Sequence, residues 1–203
     1  MTEHIRFYFD PTCPWAWQTA KWIREVEGVR DVRVEWRLFS LRLVNESADD
    51  PLTDASARSV PALRALALTG REQGNEAVGR LYAAIGERIH DAEGDLSVDL
   101  LREALVAADL GPDTVDRALA DPTTAEEVRS QHREAVDEVQ GFGVPTVVLP
   151  SGRGIFGPVV AVAPEGEDAG VLWDHVRWLA EYDGFFELKR ERDRRAGEAV
   201  AVT

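Results

Sequence analysis

Apolar and polar positions alternate at the start of the chain. Ile5, Phe7 and Phe9 share one face and His4, Arg6 and Tyr8 the other, the period of two that predicts a strand. A turn cluster, Asp10-Pro11-Thr12-Cys13-Pro14, separates it from a stretch in which Ala16, Ala20, Ile23 and Val26 recur at helical spacing. That spacing predicts a helix from Trp15 to about Glu27, with Pro14 in a first turn that does not need its N–H and Gly28 as the stop. Val32, Val34, Trp36 and Leu38 alternate again and predict a second strand. From Asn45 to Ser56 the chain reads as a polar loop. Helical periodicity then dominates over Val60 to Leu68, Ala77 to Ile89, Val98 to Ala108 and Ala125 to Val139. Ser97 is a predicted N-cap and Gly111-Pro112 a stop. Thr123 with Glu126, or Thr124 with Glu127, offers a capping box. Strand pattern returns only at Thr146 to Leu149, with Gly154 to Phe156 as a hairpin partner across Ser151-Gly152, before a last helix from about Asp168 to Glu181. The tail after Leu188 mixes arginines with Glu191 and Asp193 and reads as a solvated end.

The order βαβ, helices, ββα predicts an α/β chain: a thioredoxin-like sheet interrupted by an all-helical insertion. Residues 1–44 and 140–203 form the thioredoxin-like domain in this reading, and residues 45–139 the insertion. A connection of that length is too long for a loop and suits a folded unit.

Composition narrows the function. The 203 residues carry 23 basic and 37 acidic side chains, a formal net charge of -14. That mean field repels nucleic acid and anionic membranes, so neither is expected as a partner. No apolar run has the length of a signal peptide or a membrane span, which predicts a cytoplasmic protein. The one cysteine rules out an internal disulfide and a four-cysteine metal site, and no metal is expected.

Cys13 lies where a strand ends and a helix begins. Unpaired N–H groups and the positive end of the helix dipole favour an anion there, a placement that lowers a thiol pKa to roughly 3.5–7.5. The thiolate is the nucleophile in thiol–disulfide exchange, so strand–Cys-Pro–helix is a way to build a reactive sulfur. The second signal is Gly143-Val144-Pro145-Thr146, directly before the returning strand. Taken alone, an X-Pro bond is usually trans. Joined to the opening unit, it predicts a cis Val144–Pro145 bond facing Cys13, with the Val144 backbone open to a substrate. Other patterns carry no chemistry. Gly152, Gly154 and Gly157 match G-x-G-x-x-G, but in a hairpin followed by Pro158 rather than by a helix. His132 and Glu134 lack the cysteines of a zinc deaminase, and the four histidines are dispersed.

Phe9-Asp10-Pro11-Thr12-Cys13-Pro14-Trp15-Ala16-Trp17 resembles the active-site segment of the DsbA-family mycothiol-dependent nitroreductases of actinobacteria. Further matches are Ser40-Leu41 with Asn45-Glu46, Arg88-Ile89-His90, Gly143 to Thr146, Phe156 to Val159, Leu172-Trp173-Asp174 and Phe185 to Arg190. The resemblance implies a DsbA-like fold and a reductase with no tightly bound cofactor. Mycothiol would be its thiol co-substrate, passing electrons to an acceptor that the sequence does not identify. It implies Cys13 as the attacking thiol with Pro14 beside it, Trp15 and Trp17 shaping the pocket, Val144 and Pro145 as the cis-proline pair, and Asn45 and His90 lining the cleft. The family motif is C-P-W-C, whereas Ala16 stands fourth here, so the resemblance implies a monothiol mechanism. The alternatives are a thiol-dependent transferase or isomerase of the kappa-class glutathione transferase type, and a non-catalytic binding protein.

Overall fold

A computed structural model describes residues 2–45 and 51–198. Four strands form one sheet in the order β2-β1-β3-β4. β1 (Glu3–Phe9) runs parallel to β2 (Val32–Leu38), from Glu3 opposite Val32 to Phe9 opposite Leu38. β3 (Thr146–Val148) pairs antiparallel with β1 and with β4 (Gly154–Phe156). α1 (Pro14–Val29) makes the crossover between β1 and β2. β1 is an interior strand with both edges paired, and its C-terminal half is buried on both faces. Tyr8, expected on a polar face, is as buried as Phe7 and Phe9.

Between β2 and β3 stand α2 (Leu41–Asn45), α3 (Val60–Gln73), α4 (Asn75–Gly86), a π-helical turn (Glu87–Asp91), α5 (Val98–Ala107), α6 (Thr114–Ala120) and α7 (Thr123–Val139). α8 (Gly166–Glu181) closes the fold against α1, with Trp22 and Trp173 packed together at 6.1 Å and the Trp22 Nε1–H donated to the Ala169 carbonyl at 3.0 Å.

The open edge of β2 is covered by α1 and by the helices between β2 and β3. The N–H groups of Val34, Trp36 and Leu38 point outward from the sheet and are met by Glu27 Oε1 at 3.0 Å, Asn75 Oδ1 at 2.9 Å and Gln131 Oε1 at 2.8 Å. Alternate residues of an edge strand otherwise leave such donors free to pair with another chain. Arg64 is buried among these helices and donates to Thr124 Oγ1 and to the carbonyls of Ala118 and Asp121, at the C-terminal end of α6. A cation suits the negative end of a helix.

Several sequence boundaries shift. α1 runs through Gly28, with the Arg30 N–H still reaching the Val26 carbonyl at 2.8 Å. α4 ends at Gly86, and the turn to Asp91 follows a wider path than the expected helix to Ile89. The capping box at α7 does not form. Asp121 takes the Thr123 N–H at 2.9 Å, and the Thr124 hydroxyl turns inward to the Ala118 carbonyl. Ser97 does cap α5, accepting from Leu100 N at 3.1 Å. α2 and α6 had no counterpart in the sequence reading, and part of the expected polar loop, residues 46–50, lies outside the described residues. Among the described residues no helix is long and apolar enough to cross a membrane.

Candidate active site

Cys13 is the N-cap of α1, in extended conformation, and its Sγ accepts from the Ala16 N–H at 3.4 Å. The turn before it is tight: the Cys13 N–H returns to the Asp10 carbonyl at 3.0 Å. Opposite, the Val144–Pro145 bond is cis, and the Val144 carbonyl accepts from the Cys13 thiol at 3.8 Å. The sequence expectation of Cys13 and Val144–Pro145 brought together from two ends of the chain is met. The expectation of a lowered thiol pKa is not. Cys13 is 8% exposed, and burial pushes its thiol above the ordinary value, against the pull of the Ala16 and Trp15 N–H groups. The carboxyl of Asp10 pushes the same way and Arg192 opposes it. A helix N-terminus favours the thiolate, but loss of solvent acts on the whole charge and wins here.

Asp10 is fully buried, and the sequence reading did not single it out. One carboxylate oxygen accepts from the Thr12 N–H and hydroxyl, at 2.9 and 2.7 Å; the other accepts from the Leu41 N–H at 2.9 Å. It thereby ties the Cys13 turn to the start of α2. The Asp-Pro-Thr spacing is the available signal, since an Asp commonly bonds its own backbone two residues on. Burial raises the Asp10 pKa and the Thr12 bonds lower it.

His90 sits in the turn after α4 with Nε2 2.9 Å from the Pro11 carbonyl. A carbonyl only accepts, so Nε2 carries the proton. Burial holds the His90 pKa below its ordinary value, and the ring is neutral near pH 7. Trp17 does not line an open pocket; it is buried, stacks beside His90 at 6.4 Å and donates its indole N–H to Asp91 at 3.0 Å. Asp91 also receives the Lys21 ammonium at 3.0 Å. Trp17 thus fixes the turn that carries His90. Tyr82 of α4 is stacked on Phe9 at 3.7 Å, its buried hydroxyl has no hydrogen-bond partner among the described residues, and its pKa is raised by burial and by the charges of Cys13 and Asp10.

Pro14 is exposed at the first turn and Trp15 half-buried beside it. The tail is not simply solvated. It folds back so that the Arg192 guanidinium lies 5.0 Å over the Trp15 ring, and the Gly197 N–H reaches the Ala161 carbonyl at 2.7 Å. Nothing in the mixed charges of the tail separates Arg192 from its neighbours in sequence. Asn45 stands exposed at the end of α2, and no hydrogen bond joins it to Cys13, His90 or Val144. Among the described residues no group of three or more His, Cys, Asp or Glu side chains is gathered to hold a metal ion.

Residues 12–190 match the family profile "Rv2466c-like: Mycothiol-dependent nitroreductase Rv2466c". A relative in Mycobacterium tuberculosis, described as the uncharacterized protein Rv2286c, is 35% identical over 201 residues, which is 97% of this chain and 86% of that protein. The probable DsbA oxidoreductase SCO1869 of Streptomyces coelicolor superposes with a TM-score of 0.61 at 21% identity, over 98% of this chain and all of that one. The cytosolic disulfide reductase DsbM of Pseudomonas aeruginosa with GSH gives 0.60 at 14%, over 86% and 99%. A 2-hydroxychromene-2-carboxylate isomerase gives 0.60 at 13%, over 86% and 94%. At such identities the three structures establish the fold.

Proposed function

The chain belongs to the Rv2466c-like family of mycothiol-dependent nitroreductases, and from that premise we propose that it is a mycothiol-dependent thiol–disulfide oxidoreductase working through one sulfur, Cys13. The observation that carries the reading is the juxtaposition of the Cys13 sulfur at the head of α1 with the Val144 carbonyl. A substrate disulfide lying along Val144 would present a sulfur to Cys13 while its backbone pairs with the strand end. The thioredoxin-like unit, residues 1–44 and 140–203, carries the nucleophile. The helical unit, residues 45–139, brings His90 against the Pro11 carbonyl beside the Cys13 turn, and in this reading Asn45, exposed at the end of α2, meets the substrate from outside.

In the first step the Cys13 thiolate attacks one sulfur of a disulfide. A bond forms between Cys13 and that sulfur, the old S–S bond breaks, and the second sulfur leaves as a thiolate that takes a proton from solvent. With oxidised mycothiol the product is a Cys13–mycothiol mixed disulfide plus one mycothiol. In the second step the thiolate of another small thiol attacks the mycothiol sulfur of the adduct: a disulfide forms between the two small thiols, the bond to Cys13 breaks, and Cys13 leaves as a thiolate. Ala16 fills the position from which a second cysteine would resolve the adduct internally, so an external thiol does so. The thiolate fraction governs the first step. Because burial raises the Cys13 pKa, its rate climbs with pH through and beyond neutrality. His90, neutral and bonded to Pro11, holds the turn that presents the sulfur.

Intact mass after exposure to oxidised mycothiol tests this reading. One mycothiol per chain is expected on the wild type and none on Cys13→Ser. A transferase or isomerase, which activates the small thiol itself, takes up nothing on the protein sulfur, and that outcome would sink the proposal. Ala16 is one turn on, with its N–H already against Sγ. In Ala16→Cys, release becomes intramolecular, a large advantage in effective concentration, and the adduct is shed rapidly. If it persists as long as on the wild type, the monothiol mechanism falls.

A further inference from the structure

The C-terminal segment places one cation at this site. Arg192 makes no ion pair among the described residues; it lies over the Trp15 indole, with 5.0 Å from guanidinium carbon to ring centroid. A cation over an aromatic face is held by the ring quadrupole. Of its two acidic neighbours, Asp193 gives both carboxylate oxygens to Arg194 at 2.8 Å, and Glu191 is exposed and makes no ion pair with Arg192. Beyond Arg192 the chain is tied again. The Gly197 N–H bonds the Ala161 carbonyl at 2.7 Å, and Gly197 lies so close to α1 that a Cβ there would meet the Gln18 amide at 3.4 Å. Both tie points flank the first turns of α1, which Cys13 caps.

We infer that Arg192 is a working residue of the Cys13 site, a positive charge carried back by the tail to stabilise the sulfur as it ionises. This rests on Cys13 being the nucleophile of the proposed reaction. The groups around the sulfur make the need plain. From the turn after β1 comes the buried Asp10 carboxyl, from α4 the Tyr82 hydroxyl, which has no hydrogen-bond partner among the described residues, and from the segment before β3 the Val144 carbonyl; each disfavours a thiolate or offers it no hydrogen bond. His90 is neutral and engaged with Pro11. Among the described residues the N–H groups of Ala16 and Trp15 favour the thiolate, and the Arg192 guanidinium adds to them from across the Trp15 ring. Arg192 itself is exposed, so its field is partly screened and salt weakens it. It acts by field and position on the sulfur, and Trp15 is the platform that fixes its distance.

The test is the rate of Cys13 alkylation by iodoacetamide, a neutral reagent, followed against pH at low and high salt in the free protein. Arg192→Ala is expected to move the midpoint to higher pH and to slow alkylation below it on the order of two- to fivefold at low salt. The difference should shrink at high salt, Arg192→Lys should recover at least half of it, and Arg192→Glu should enlarge it. An unchanged profile in Arg192→Ala overturns the inference. So does alkylation faster by one factor at every pH and salt concentration, which is the behaviour of a tail that merely covers the sulfur. Because no mycothiol is used, a wild type that forms no mycothiol adduct would sink the proposed function and leave this result to be decided on its own.

Discussion

At the scale of single residues, the site is a contest between a sulfur that should ionise and surroundings that resist it. Asp10 sharpens the contest. It lies three residues before Cys13, wholly buried, and its two oxygens satisfy three donors, from Thr12 and Leu41. Structure requires a carboxylate there, while chemistry suffers its charge. Asp10→Asn separates the two. The amide keeps one accepting oxygen but presents N–H groups where the other stood, leaving a buried donor without a partner. The expected cost is about 1–3 kcal/mol of stability, read as a lower denaturant midpoint. The same change removes a negative charge that raises the Cys13 pKa, so the thiol should titrate at lower pH and alkylate faster at a fixed pH near neutral. A less stable protein with a more reactive sulfur is the expected pair of results. A thiol titration that stays put or moves upward would show that Asp10 has no electrostatic hold on Cys13.

At the scale of elements, α4 explains how the helical block comes close enough to matter. Gly79 and Gly86 lie seven residues apart, about two turns, on the face turned to the aromatic residues. A Cβ on Gly79 would sit 2.6 Å from the Trp36 indole nitrogen, and one on Gly86 would run into the Trp17 ring. Alanine is the better helix former by about 0.8–1 kcal/mol, but Trp17 is packed edge-on against Tyr82 at 5.6 Å and has no room to retreat. Overpacking costs about 1–3 kcal/mol, so Gly86→Ala should lower Tm by about 2–6 °C and shift tryptophan fluorescence as the Trp17–Asp91 bond loosens. Gly28→Ala, in α1 with nothing within 4 Å of the new methyl, should instead raise stability by about 0.5–1 kcal/mol. The opposite signs are the check; two gains would mean that α4 is not in close contact. The same two glycines mark what the sequence discloses. Strand alternation in β1 and β2 and the Cys-Pro start of α1 were legible because period and turn chemistry are local. Gly28 misled, because glycine ends a helix only where the backbone turns left-handed, and this one stays in register. Trp17 was expected in the pocket, but only the packing of α4 on α1 decides that it lies beneath His90. Arg192 left no trace at all, since its role depends on where the tail returns.

At the scale of the whole molecule, two histidines, His90 half-buried and His132 buried, link the helical block to the sheet and the Cys13 turn. His90 donates to the Pro11 carbonyl at 2.9 Å, and His132 of α7 packs on Phe39 at 4.3 Å with Nδ1 3.4 Å from the Ser40 N–H. Burial lowers the pKa of both from the ordinary 6.5. The sign follows from linkage. Below 6.5 the unfolded chain takes up these protons and the folded one does not, so stability is present above that pH and is lost as pH falls from 6.5 toward the folded pKa values. Each histidine contributes a slope of at most about 1.4 kcal/mol per pH unit in that window. His132 has a structural reason as well, because a proton on Nδ1 abolishes the acceptor that faces Ser40. Surface carboxylates held low by hydrogen bonds and ion pairs, such as the half-buried Asp121 at about 2 and the exposed Glu167, act only at more acidic pH. Asp10, whose pKa is raised, runs in the opposite direction. The measurement is therefore a difference: urea unfolding from pH 8 to pH 5 on the wild type and on a His90→Gln/His132→Gln double variant. The wild type should lose stability below pH 6.5 more steeply than the variant, whatever their difference at pH 8. Parallel curves would mean that neither histidine resists protonation in the fold, and that the contacts at Pro11 and Ser40 survive it.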